Sequence, residues 1–273
     1  MGKIIAIANQ KGGVGKTTTA INLSSCISVS EKKTLLIDLD PQSNAGSGLG
    51  IVSRETKGSL YDLFLEPGLV SGSIYSTNLP YLDIIPSDQN LVGAEVELIN
   101  KEGREFILKN IIAQVKDNYD FIFIDCPPSL SMLTVNALTA ADSVLVPLQC
   151  EYYALEGIGR LLKTIKLIRK HLNPNLGIEG ILLTMFDRRN NLSFQVERDI
   201  RLHLADRVFE SIIPRNVKLS EAPSHGKPII LYDINSKGSI SYFNLATELL
   251  ERNCLKGINF KDLKINEVEI NND

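Results

Sequence analysis

Cysteine is sparse: positions 26, 126, 150 and 254 are scattered through 273 residues, and no two form a Cys-x-x-Cys pair. That spacing excludes a disulfide framework and a zinc ribbon, and it suits four free thiols in a reducing compartment. Long apolar runs are lacking too. The longest, such as residues 4–8 and 121–124, fall far short of the roughly 18 residues that a membrane-spanning helix needs. The N-terminus lacks a charged-then-apolar signal segment, so neither export nor membrane insertion is expected. With no repeat of 20 to 50 residues and no Pro- or Ser-rich linker, one domain over residues 1–253 is expected, followed by a polar, fraying tail at 254–273. The composition, 44% apolar and 22% charged, argues against disorder, a collagenous repeat or a coiled coil.

An excess of charge of one sign is also missing, since the formal net charge is -3. The total hides a split: residues 1–159 carry a net of -7, residues 160–237 a net of +6 and residues 238–273 a net of -2. The basic middle stretch reads either as a nucleic-acid footprint or as solvated helix faces. Short β-branched runs alternate with segments of helical period, the pattern of βα units around a mainly parallel sheet. Strands are expected at 3–8, 34–38, 81–85, 121–125, 143–147, 178–183 and 208–212. Helices are expected at 17–29, 91–99, 104–116, 155–171, 194–204 and 239–253. Within 155–171, the apolar residues Leu155, Ile158, Leu161, Leu162, Ile165 and Ile168 fit one buried face.

Residues 4–8 run into Lys11-Gly12-Gly13-Val14-Gly15-Lys16-Thr17-Thr18 and then into an amphipathic segment, the strand–loop–helix setting of a phosphate-binding loop. Gly12, Gly13 and Gly15 can adopt backbone angles that let successive N–H groups curl around phosphate oxygens at a helix N-terminus. Lys16 supplies a positive charge to the β- and γ-phosphates of a nucleotide, and the Thr17 hydroxyl can ligate Mg²⁺. The strict Walker pattern fails, because its first glycine would fall at Gln10, and a second lysine, Lys11, stands at the front of the loop. Residues 35–42 end an apolar strand with Asp38 and Asp40 at the sheet edge where open α/β sheets bind ligands. Residues 121–125 end in Asp125, the form of a Walker B strand whose acid holds Mg²⁺.

These segments resemble the deviant Walker A ATPases, and within them the ParA/Soj partitioning proteins, over nearly the whole chain up to about residue 252. The resemblance implies an α/β single-domain P-loop fold, with a mainly parallel twisted sheet and helices on both faces. It also implies an ATPase with ATP and Mg²⁺ as cofactors. By the same likeness, Lys11 reaches the phosphates of a partner copy in an ATP-dependent homodimer, and Asp40 orients the attacking water. A capping role at a strand end is the plainer reading of Asp40. Cys126-Pro127-Pro128-Ser129 matches the family's switch loop. Residues 149–157 match a Soj-type segment, at the dimer face or packed at a helix start. Pro214 and Asn216 match a stretch that contacts adenine, although turn chemistry explains both residues equally well.

Arg188, Arg189, Lys218 and Lys227 fall where family members hold DNA without reading its sequence, through phosphate contacts sensitive to salt. No helix-turn-helix precedes residue 3, so the operator-reading domain of longer relatives is not expected. The partners implied are nonspecific double-stranded DNA, a ParB-type centromere-binding protein that stimulates hydrolysis and, in the chromosomal branch, the replication initiator DnaA. The location implied is cytoplasmic and nucleoid-associated. The competing reading is a MinD-like membrane-surface ATPase for division-site placement. It requires a C-terminal basic amphipathic helix, whereas the apolar residues from Leu255 onward step by 3 and 2 in alternation, with three Lys against four Asp/Glu.

Overall fold

Alternate residues of the first strand enter different cores: Ile4 and Ala6 belong to one buried cluster, Ile5 and Ile7 to the other. A strand apolar on both faces belongs inside a parallel sheet covered by helices above and below. The computed structural model, which describes residues 2–51, 58–151 and 153–255, has that layout. Its strands are β1 (Lys3–Ile7), β2 (Thr34–Asp38), β3 (Tyr75–Ser76), β4 (Leu82–Ile85), β5 (Phe121–Asp125), β6 (Ser143–Gln149), β7 (Gly177–Phe186) and β8 (Val208–Pro214). They form one sheet in the order β3-β4-β2-β5-β1-β6-β7-β8, parallel except where the two-residue β3 runs against β4. The chain therefore travels out from β1 to β4, returns to β5 beside β1, and leaves on the other side through β6 to β8.

The helices are α1 (Lys16–Ser28), α2 (Asn44–Gly48), α3 (Leu60–Leu65), α4 (Leu91–Glu97), α5 (Ile107–Ala113), α6 (Met132–Ala140), α7 (Ala154–His171), α8 (Asn191–Leu204), α9 (Val217–Glu221), α10 (Ile229–Tyr232) and α11 (Lys237–Arg252). Helices α3 to α8 cover one face of the sheet; α1, α2 and α9 to α11 cover the other.

Every expected strand is present, those at 34–38 and 121–125 with the expected bounds and the others with ends moved by one to three residues. The expected helix at 104–116 is instead a 3-10 turn, the seven-residue α5 and a second 3-10 turn. In α7 the buried row is Ala154, Ile158, Leu161, Thr164, Ile165 and Ile168, whereas Leu155 faces solvent and Leu162 is half-buried. Helix α6 was not expected. It is buried almost throughout, Thr134, Asn136 and Thr139 included, so it carries no one-sided period to betray it. Most of the tail at 254–273 lies outside the described residues.

Polar side chains close the sheet at two of its rims. At the edge where the strands begin, the buried Glu179 carboxylate pairs with Lys3 Nζ at 2.6 Å and accepts from Ser143 Oγ at 2.6 Å and Asn253 Nδ2 at 2.9 Å. Burial alone would raise its pKa, but these bonds outweigh it and hold the carboxyl below its ordinary 4.5. On the outermost strand, β8, side chains take up backbone groups. Glu248 accepts from the N–H groups of Glu210 (2.8 Å) and Ser211 (2.9 Å), while Arg201 and Arg252 donate to the carbonyls of Phe209 (3.2 Å) and Val208 (2.8 Å).

Candidate nucleotide site

The loop between β1 and α1 is fixed by its own polar groups. Asn9 Nδ2 donates to the Pro147 carbonyl (2.7 Å), its Oδ1 accepts from the Lys11 N–H (3.0 Å), and Thr184 Oγ1 donates to the Val14 carbonyl (2.8 Å). Gly13 (φ 73°) and Gly15 (φ 86°) occupy the left-handed region, which glycine enters without the strain a Cβ would bring. Gly15 caps α1 without a side-chain acceptor, so the first N–H groups of the helix stay available to an anion. Lys16 is buried, with Nζ donating to the Lys11 carbonyl at 3.2 Å. Burial lowers its pKa, and the nearby Asp125 and Asp40 carboxylates oppose that shift.

The β2–β5 register sets Asp38 beside Asp125 at the strand ends, and Asp40 follows just past β2. The three acids are handled differently. Asp38 accepts from the N–H groups of Ala45 (3.0 Å), Gly46 (3.1 Å) and Asp40 (3.2 Å), and burial still pushes its pKa up to about 7. Asp40 Oδ1 accepts from the Gln42 N–H at 3.0 Å. Asp125 is fully buried, and neither of its oxygens meets a hydrogen-bond partner of ordinary geometry. Burial raises its pKa well above the normal carboxylate value and the Asp38 charge adds to this; nearby Thr17 and Lys16 pull the other way. A buried carboxylate without a partner is unfavourable unless a cation docks on it, and oxygen donors of this kind suit Mg²⁺. The chain's own residues thus fit the implied metal, which Asp125 and Thr17 would hold. Cys126, next along, is buried, and burial pushes its thiol up and out of the reactive range.

Beside the loop lies a cavity of about 360 Å³ lined by Gly15, Thr18, Met185, Pro214, Asn216 and Tyr242 among others. The structure brings together here two stretches about 200 positions apart in sequence. Asn216 also serves as a helix cap, its Oδ1 accepting from the Leu219 N–H at 3.3 Å.

Residues 2–178 match the family model described as "AAA domain". Chromosome partitioning protein ParA of Myxococcus xanthus is 55% identical over 256 residues, which cover 94% of this chain and 90% of that protein. Sporulation initiation inhibitor protein Soj of Bacillus subtilis is 55% identical over 249 residues, 91% of this chain and 98% of that one. The chain belongs to the ParA/Soj family of chromosome-partitioning ATPases. Among solved structures, cobyrinic acid a,c-diamide synthase from Mycobacterium smegmatis with bound ATP analog and magnesium is 33% identical with a TM-score of 0.80, covering 95% of this chain and all of that one. The cell division ATPase MinD of Pyrococcus furiosus is 26% identical with a TM-score of 0.75, covering 92% and 99%.

In this ParA/Soj ATPase the front lysine, Lys11, points outward and is ion-paired with Glu151, within the Soj-type segment at 149–157. Tyr152 of that segment lies outside the described residues. The four basic residues picked from the sequence do not form one group. Arg188 and Arg189 join Arg215 and Lys237 around a groove of about 930 Å³ beside α8, β8 and α11, and Lys218 and Lys227 do not line it. Arg189 holds Asp187 by two bonds of 3.0 and 2.9 Å, and Lys218 pairs with Glu221 at 2.9 Å. Arg215 and Lys237, which line the groove beside Arg188 and Arg189, were not among the basic residues picked from the sequence. Arg215 sits inside the stretch considered for the base, and only folding shows that the groove and the cavity share it.

Proposed function

We propose that this partitioning ATPase is an ATP-dependent dimerising switch: the ATP-bound dimer holds duplex DNA without reading sequence, and a ParB-type partner triggers hydrolysis and release. The observation that carries the reading is Asp125, a buried carboxylate without a partner, set between Lys16, Thr17 and Asp40 beside a cavity sized for a base. Lys11, Gly12, Gly13, Val14, Gly15, Lys16, Thr17 and Thr18 bind the phosphates through backbone N–H groups and two ammonium groups. Pro214 and Asn216 hold the base. Thr17 and Asp125 would hold Mg²⁺, which when bound would neutralise phosphate charge. Asp40 orients the attacking water from a position its bond to Gln42 fixes. Lys11 leaves Glu151 and reaches the phosphates of the second copy.

DNA contact falls to Arg188, Arg189, Lys218 and Lys227, with Arg215 and Lys237 joining the Arg188 side. Arg189 and Lys218 must exchange their carboxylate partners for phosphates, so each contributes less than a free cation would. A cytoplasmic, nucleoid-associated location and a link to DnaA belong to the same reading. Among the described residues no helix is long and apolar enough to cross a membrane. The test is binding to nonspecific duplex DNA with ATP, ADP or no nucleotide over a salt series, for wild type and Asp40→Ala. ATP-only binding that weakens steeply with salt and is prolonged in the variant is the expected result. DNA ignored in every state, with anionic vesicles bound instead, would replace this reading with the MinD-like one.

A further inference from the structure

Helix α4 buries Leu91 and Ala94, and Leu98 just beyond it, against the core, yet its outer side carries apolar residues beside the exposed Glu97. Val92, Val96 and Ile99 are 58%, 70% and 60% exposed and follow one another at spacings of four and three, one line along the helix and its last turn. A surface helix ordinarily turns charged groups outward, so an apolar row of this kind marks a contact face. Its surroundings are acidic. Glu95 and Glu97 lie on the helix, Asp88 and Glu102 flank it, and Asp62 comes from the adjacent α3. Tyr61 Oη donates to Glu97 Oε1 at 3.1 Å, and that bond together with the charges of Glu97, Asp62 and Asp88 raises the tyrosine pKa, so these carboxylates share one neighbourhood. The cations of the stretch are Lys101 and Arg104, and Arg104 is occupied by Glu105 and the Ile99 carbonyl.

That charge selects the occupant. Duplex DNA and anionic lipid are repelled by an acidic rim, and a second copy presenting the same face would set carboxylates against carboxylates. A cationic helix with apolar side chains at three- and four-residue spacing satisfies both the row and its rim. We propose that the α4 face docks a short cationic amphipathic segment of a protein partner. The proposal rests on the switch reading only in taking that partner to be the one that stimulates hydrolysis. The connection to the nucleotide site is short: Glu95 Oε1 accepts from the Leu133 N–H at 3.3 Å, in the first turn of α6, and the loop before α6 leads directly back to Asp125. A segment lying across Val92 and Val96 therefore sits on the helix that holds the far end of that loop.

The test uses the full chain and three labelled peptides followed by fluorescence anisotropy: a Lys/Leu amphipathic helix, a Glu/Leu peptide of the same apolar pattern, and a Lys/Gln peptide of the same charge without the apolar row. The Lys/Leu peptide is expected to bind best and to slow amide exchange over residues 91–99. The double variant Val92→Ser/Val96→Ser should weaken it about tenfold through lost apolar contact. Glu97→Gln/Glu102→Gln should weaken it about threefold and flatten its salt dependence. Unchanged affinity in the serine variant, equal binding of the Lys/Gln peptide, or protection confined to another surface would overturn the proposal. ATP turnover and ATP-dependent DNA binding of the same proteins are read alongside. A wild type that neither hydrolyses ATP nor binds DNA sinks the switch reading, while the peptide result still decides the surface.

Discussion

The two rims of the sheet treat buried charge in opposite ways. Where the strands begin, Glu179 has every partner it needs: an ammonium, a hydroxyl and an amide close over it. Where the strands end, Asp125 has none, and Asp38 is held only by backbone N–H groups. The fold could satisfy both rims by the same means and does so at one. A completed network stabilises the chain, whereas an open one is unfavourable until a ligand completes it. The contrast separates a clamp from a site without appeal to motif.

The sharpest way to test that contrast is at Asp40. Asp40→Ala should slow single-turnover hydrolysis by about 10²–10⁴-fold while nucleotide affinity stays within a few-fold. Equal losses in both would reduce Asp40 to a structural cap. Next, Glu179→Ala should lower stability by about 3 kcal/mol in chemical denaturation, because Lys3 and its neighbours lose a buried counter-charge. Asp125→Asn should do the reverse to the nucleotide-free protein, raising its stability by about 1–2 kcal/mol as a carboxyl whose charged form burial disfavours gives way to a neutral amide, and it should erase the extra thermal stabilisation that Mg²⁺ gives with ATP. If both substitutions destabilise equally, the contrast is empty. A smaller effect lies in pH. The Glu179 pKa is depressed on folding, so its contribution is present above pH 4.5 and is lost as pH falls through the folded-state value. Wild type should therefore lose stability on acidification more steeply than Glu179→Gln in parallel denaturant titrations. Smallest of all, Arg188→Ala should weaken DNA binding more than Lys218→Ala, since Lys218 already has Glu221, and each should shallow the salt slope by about 1 or less.

The glycine-rich loop was legible because its residues are contiguous, coming one after another from Lys11 to Thr18 between a strand and a helix. The strands were legible because short runs of Ile, Val, Leu and Phe, two of them closed by Asp, leave few other readings. The rest depended on long-range geometry. Nothing local joins Gly15 to Pro214, or Arg188 to Lys237, and the cavity and groove exist only after β7 and β8 are laid beside β6. Helix α6 escaped because a helix buried on all sides has no polar face to set its period. Leu155 misled for a related reason: a leucine at the right spacing on a helix end can still face water. That Asp125 is unpartnered, the feature on which the site turns, is a statement about what surrounds a residue, and no sequence spacing encodes it.

The side chains that tie down β8 have a consequence for how copies of this chain can meet. With Glu248, Arg201 and Arg252 occupying its backbone groups at one rim, and a two-residue strand at the other, the sheet offers little template for strand-to-strand growth. Any contact between copies would then fall to loops and helices. The same pinned rim that completes the fold also guards the chain against edge-to-edge growth into fibres.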